Sequence, residues 1–433
     1  MMLENYRSVP SVVAVANSLI AKNRERVPKD LVARRNQFGP AVWYHAADSP
    51  AEASWIAEGV AALHESGVAY GDMAVLYRAH YASRSVEEAL IRARIPHTVY
   101  SGTPFFARRE IKDALAYLRF IMAKDDLDFR RIANTPRRNL GKRRMAYLAE
   151  AAEREGTTLY EALCSHVGDE IFAGTSARSF IALIEAFSTT YGERPVSEVL
   201  DDLMKKSGYE KMLRTEGAQE RLDNLAELKQ AIYEYETTCG EEVTLEHYLA
   251  HVALLTSADE ADLRGDKVKL MTIHAAKGLE FPHVFLSSLS EGVIPSRKTD
   301  TRAAMEEERR LAFVAITRAR DGLYLSEAEG FSHKGSPRYP SRFLLDINPD
   351  LLLRSPMPPE YLAEAREAHA ATDMRLAERA AAARFAVGDA VEHPVFGRGR
   401  VTGIDLTKRA YTVQFEELET ARAISFRAPL EAE

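Results

Sequence analysis

The middle of the chain most constrains its fold, because strand signals stop there and later resume. Before about Glu110, Ala41–Tyr44 and Met73–Tyr77 are short apolar runs of strand type, while Pro50–Ser66 and Ser83–Ala93 carry helical periodicity. From about Glu110 to about Leu263, Ala, Leu, Glu, Lys and Arg dominate stretches such as Arg144–Glu155 and Ala218–Thr237, which predicts an almost wholly helical segment. Strand character returns at Val268–Ile273, His283–Leu286 and Gly322–Leu325, with a helix expected over Thr301–Ala315. Strands on both sides of a helical stretch imply one α/β domain interrupted by an all-helical insertion.

Beyond Phe343 the patterning changes twice. Residues 349–384 mix prolines with an Ala/Glu/Arg-rich run that suits either a solvated helix or a flexible linker, and are read as a linker. Phe385–Pro429 reads as several short strands punctuated by glycines, the pattern of a small β-barrel, with Val395, Phe396 and Val401 expected in its core. Arg398, Arg400, Lys408 and Arg409 would form its basic rim. At 433 residues and 46% hydrophobic content the chain can bury several cores. Its net charge of −7 excludes a uniformly basic nucleic-acid coat, so any basic surface must be local. Two cysteines cannot form a disulfide framework or a tetrahedral cysteine zinc site. Neither a secretion signal nor a membrane span is read, and the cytoplasm is the expected compartment.

Three strings carry the chemistry. Asn5-Tyr6-Arg7-Ser8 stands before the first strand signals. Met271 to Phe281 follows a strand signal and ends in a glycine-containing turn, where a strand's carboxyl end presents polar groups. Glu306 to Arg320 has the pattern of an amphipathic helix that delivers Arg318 just past its apolar face. In this order they resemble the C-terminal half of UvrD/PcrA/Rep-type superfamily 1 DNA helicases. Asn5–Ser8 is similar to helicase motif IV, Thr272–Phe281 to motif V and Glu306–Ala319 to motif VI, with Val75–Arg78 and Phe105–Leu118 similar to intervening motifs.

The resemblance implies a RecA-like parallel-sheet domain, 2A, over residues 1–110 and 267–348. It further implies a helical insertion, 2B, over 111–266, the linker 349–384 and a Tudor-like β-barrel over 385–433. It implies that Arg7 and Arg318 reach the ATP γ-phosphate as arginine fingers, that Tyr6 stacks on adenine and that Glu280 contacts ribose. A planar, permanently charged guanidinium suits the charge that spreads over a transferring phosphoryl group. Arg78, Arg84, His274 and Lys277 are expected along single-stranded DNA.

Between Ala107 and Tyr147, twelve Lys or Arg stand against five acids, a local balance of +7 in an acidic chain. Asn134–Gly141 at its centre resembles the family's duplex-gripping loop, so Arg137, Arg138 and Lys142 are expected on duplex backbone at the single-strand/duplex junction. The tail module implies contact with RNA polymerase or nucleic acid.

No G-x-x-x-x-G-K-[ST] string occurs in the sequence. The first RecA-like domain, with the P-loop and the Mg²⁺ ligands, is therefore expected to be supplied in cis or in trans, and the chain alone is expected to hydrolyse ATP negligibly. Asp259-Glu260-Ala261-Asp262 spells a helicase tetrapeptide but lacks the buried strand that its Mg²⁺ role requires, and is set aside. Two readings stand: the C-terminal portion of an ATP-dependent 3′–5′ DNA helicase, or a non-catalytic adaptor that binds nucleic acid or polymerase.

Overall fold

The computed structural model describes residues 4–26, 30–240, 243–258, 265–331, 335–381, 384–405, 408, 410–426 and 428–432. Asp259–Asp262 and Arg409, named above, lie outside the described residues. The strands in chain order are β1 (Glu4–Asn5), β2 (Val32–Ala33), β3 (Ala41–Ala46), β4 (Met73–Tyr77), β5 (His97–Val99), β6 (Val268–Thr272) and β7 (Phe281–Leu286). They continue with β8 (Ala319–Ala328), β9 (Leu353–Arg354), β10 (Ala390–His393), β11 (Gly397–Asp405), β12 (Ala410–Phe415), β13 (Arg422–Ser425) and β14 (Glu431–Ala432).

The fold is mixed α/β. A seven-stranded sheet runs in the order β5-β6-β4-β7-β8-β3-β9, and every pairing in it is parallel. Parallel strands are covered on both faces, which is why Met-Ala-Val-Leu-Tyr of β4 is buried throughout and reads as an unbroken apolar run. Helices Pro10–Ile20 and Arg302–Ile316 cover one face through Val12, Val15, Ala312 and Ile316. Helices Ser49–Glu65 and Arg84–Arg92 cover the other through Ile56, Val60, Val86 and Leu90. Helix starts carry local signals, with the Asp48 side chain accepting from Ala51 N and that of Thr301 from Ala304 N.

Strands β5 and β6 are neighbours in the sheet, yet the chain between them runs through the helices from Arg109–Ala123 to Leu245–Ala258. Those helices have their own core, centred on Phe120, Phe129, Tyr160 and Phe180. They join the sheet through a buried ion cluster in which Arg84, on the helix Arg84–Arg92, donates to Glu88 at 3.1 Å, to Glu227 at 2.7 Å and to Glu234 at 2.5 Å.

Two expectations change. Most of the range 349–384, read as a linker, forms the helix Pro359–Ala381. Its Ala365, His369 and Leu376 are buried, and its Tyr361 hydroxyl donates to Arg338 O at 3.0 Å. The strong helix propensity of Ala, Glu and Arg, together with these positions on one flank, explains why it docks. The tail forms a five-stranded antiparallel sheet in the order β13-β12-β11-β10-β14, with no pairing between its end strands among the described residues. Val401 lies in its core, but Val395 is 77% exposed at a turn. No helix among the described residues is long and apolar enough to cross a membrane.

Candidate nucleotide and DNA sites on opposite sheet edges

The sequence-predicted residues separate onto the two ends of one parallel sheet. At the amino edge, Asn5 Oδ1 accepts from Arg7 N at 3.0 Å and Ser8 N at 2.8 Å, forming a turn that pushes Tyr6 and Arg7 outward. Ser8 Oγ donates to Ala319 O at 2.6 Å, and Val9 N donates to Arg320 O at 2.9 Å, which pins this turn to the start of β8. Glu280 immediately precedes β7 and forms an ion pair with Arg7. The loop before β3 closes the far wall and crosses β8 so closely that a Cβ on Gly39 would lie 1.8 Å from Asp321 O.

The result is a cleft of about 540 Å³ lined by Tyr6, Arg7, Arg35, Asn36, Gln37, Glu280 and Arg320. Tyr6 presents its ring 70% exposed. A flat exposed aromatic, guanidinium groups and a carboxylate fit the base, phosphates and sugar of a nucleotide. Arg318 is not in the lining. Its guanidinium donates to Val314 O and Leu279 O, both at 2.9 Å, and to Thr317 Oγ1 at 3.3 Å. Partial burial and the nearby Arg7 lower its pKa, opposed by Glu280.

Sequence reasoning missed Arg35 and Arg320. Arg35 donates to Arg7 O at 2.9 Å and Arg320 O at 3.3 Å, and pairs with Asp321 at 2.7 Å, tying both cleft walls together. Its loop is polar and aperiodic, so nothing in the sequence marked it. Arg320 stands two residues beyond Arg318, and that proximity was the available signal.

The carboxyl edge holds the other set. Arg78 directly follows β4, and His274 comes two residues after β6, on strands paired through Tyr77 and Thr272. His274 and Lys277 are exposed on the turn after β6. Partial burial and the Arg78 guanidinium lower the His274 pKa against the pull of Glu308, which favours the neutral ring, a form suited to stacking. Arg84 does not join them. It is only 3% exposed, its donors taken by three carboxylates, so it cannot meet DNA.

In the helical unit, Arg137 and Lys142 are exposed on the turn 134–141 and the helix start after it. That helix, Lys142–Glu155, has no side-chain cap and no acid in its first turn, so no side chain opposes an anion at its N-terminus. Arg138 is turned inward instead. It donates to Ile132 O at 2.8 Å and the Tyr117 hydroxyl at 2.7 Å, and lies 4.5 Å over the Phe180 ring. Arg138 is a core strut, and its assignment to duplex contact is withdrawn.

Glu52 was also not foreseen. It is buried at the carboxyl edge, where Oε1 accepts from Ser288 N and Ser326 Oγ, both at 2.7 Å. Burial raises its pKa to about 7, with Glu327 adding to the rise and the two hydrogen bonds and Arg338 opposing it. Between pH 4.5 and about 7 the unfolded chain ionises here while the folded one keeps its proton, so this group's contribution to stability falls as pH rises. Glu52→Gln keeps the Oε1 acceptor and cannot ionise. It is expected to match the wild type near pH 4.5 and to exceed it by about 3 kcal/mol at pH 8, read by urea unfolding. An equal gap at both pH values would show that Glu52 titrates normally.

The fold and its two edges define a C-terminal region of the UvrD/PcrA helicase type. Residues 1–330 match the family described as UvrD-like helicase C-terminal domain, and the chain belongs to it. It is 33% identical over 424 residues to ATP-dependent DNA helicase PcrA of Staphylococcus aureus strain Mu50. It is 34% identical over 432 residues to the PcrA of Bacillus subtilis strain 168, and 36% over 422 residues to DNA helicase II of Haemophilus influenzae. In each case the match covers 93% of this chain and 57% of the relative, so the chain spans little more than half their length.

Proposed function

We propose that this chain is the C-terminal portion of an ATP-dependent 3′–5′ DNA helicase, completing an ATP site whose P-loop and Mg²⁺ ligands lie on another domain. The observation that supports this most is the convergence of Tyr6, Arg7 and Glu280 on one cleft at the amino edge while Arg78 and His274 stand at the opposite edge. A site split between domains makes hydrolysis depend on their closure, and closure moves whatever the far edge grips. In this reading the sheet unit is RecA-like. Tyr6 stacks on the base, Glu280 meets the ribose, and Arg7 and Arg318 neutralise the γ-phosphate as hydrolysis proceeds. Arg318 must exchange its carbonyl partners for phosphate when the cleft closes.

Arg78, His274 and Lys277 follow single-stranded DNA, and Arg137 and Lys142 hold duplex backbone at the junction. The tail sheet is the candidate surface for RNA polymerase or nucleic acid. The test is single-strand-stimulated ATP hydrolysis, for the chain alone and mixed with a separately produced P-loop half of a relative. Negligible turnover alone and recovery on mixing are expected. Robust turnover by the pure chain would refute the shared site. Failure to recover, alongside salt-sensitive junction binding, would favour an adaptor.

A further inference from the structure

Arg78 is not free to meet a phosphate. Its Nη2 donates to Glu308 Oε1 at 2.7 Å and its Nε to Oε2 at 3.1 Å, a two-pronged clasp. Glu308 lies on the helix Arg302–Ile316, and its Oε2 also accepts from Ser296 N at 3.1 Å, which fixes the carboxylate in place. Both members are mostly shielded, with side-chain exposures of 25% for Arg78 and 12% for Glu308. The guanidinium fork fits a carboxylate and a phosphate in the same way, so the two compete for one set of donors.

We propose that Glu308 is a positioning residue that parks Arg78, holding it aimed and neutralised until a DNA phosphate takes the carboxylate's place. The proposal rests on the reading of Arg78, His274 and Lys277 as a single-strand track. While Glu308 holds it, Arg78 adds no net charge to that track, so wild-type binding releases fewer counterions than the exposed basic residues would suggest.

The consequence is opposite in sign to that of a structural ion pair. Glu308→Gln keeps the amide oxygen for Ser296 N and turns its NH₂ toward Arg78, releasing the guanidinium. In the full chain, binding of a fluorescent oligo-dT should tighten by about three- to tenfold at low salt. The slope of log K against log salt should steepen by about 0.7. Adding Arg78→Ala should abolish both gains, because the released guanidinium is their source. Glu308→Asp, which shortens the reach but keeps the charge, should give a smaller gain of the same sign, so the test survives if the Gln variant folds poorly. Unchanged or weaker binding with an unchanged slope in a folded Gln or Asp variant would overturn the proposal. His274→Ala with Lys277→Ala, measured alongside, should weaken binding at least tenfold. If that pair has no effect, the strand track itself is wrong, an outcome distinct from failure at Glu308.

Discussion

Arg318→Ala, in a motor reassembled from this chain and a P-loop half, is expected to lower ATP turnover by about 10³-fold or more. The loss should fall on kcat with KM little changed, because a contact made only as charge develops on the transferring phosphoryl group does not aid ground-state binding. Arg318→Lys should recover little, since an ammonium keeps the charge but not the planar fork. The resting contacts of Arg318 with Val314 O and Leu279 O are ordinary hydrogen bonds at 2.9 Å, each worth about 1 kcal/mol, so the melting temperature should shift only modestly. Steady-state hydrolysis alongside thermal unfolding separates the two effects. A loss under tenfold with an intact fold would move the role to Arg320. That residue lines the cleft, and its guanidinium has no partner among the described residues.

The parallel sheet was legible because its strands are buried on both faces and its sequence says so. Met73–Tyr77 was read to the residue, and Val268–Thr272 to within one. Strand β8 was seen only as Gly322–Leu325, since Arg320 and Asp321 near its start are polar and break the apolar run. Tyr6, Arg7 and Glu280 could be named because they belong to local strings, and the structure brings those strings together across more than half the chain. The failures share a cause. Arg84 and Arg138 sit in basic or helical stretches that look solvated, but their partners come from far along the chain or from backbone carbonyls. A charge pattern records that a residue is cationic; it does not record which way it points. The docking of the helix Pro359–Ala381 was not legible for the complementary reason, because the surface that holds it is supplied by residues such as Arg338 and Pro340, distant from its own run.

Arg84→Ala is expected to destabilise the chain by about 3–5 kcal/mol while leaving single-strand affinity unchanged. The cluster around it holds Glu88, Glu227 and Glu234, and the other cations within reach are Arg92, 3.8 Å from Glu88, and Arg338, 3.5 Å from Glu234. Three carboxylates and three cations balance, and deleting Arg84 strands one negative charge in a largely shielded site. Burial alone would lower the Arg84 pKa, and Glu88, Glu234 and Glu227 more than reverse this, so the residue stays charged and the charge has to be matched. Because Glu227 and Glu234 belong to the helix Gln219–Thr238, the damage should centre where the helical unit meets the sheet. Hydrogen exchange should therefore rise first in that helix and in Arg84–Arg92, ahead of the β4 and β6 core. Lysine at position 84 supplies one point charge where a fork serves three acceptors, so it should restore only part of the loss. If stranded charge is the cause, Glu227→Gln in the Arg84→Ala background should recover stability even though it removes a further native group. A variant that folded normally and lost DNA binding instead would return Arg84 to the strand track.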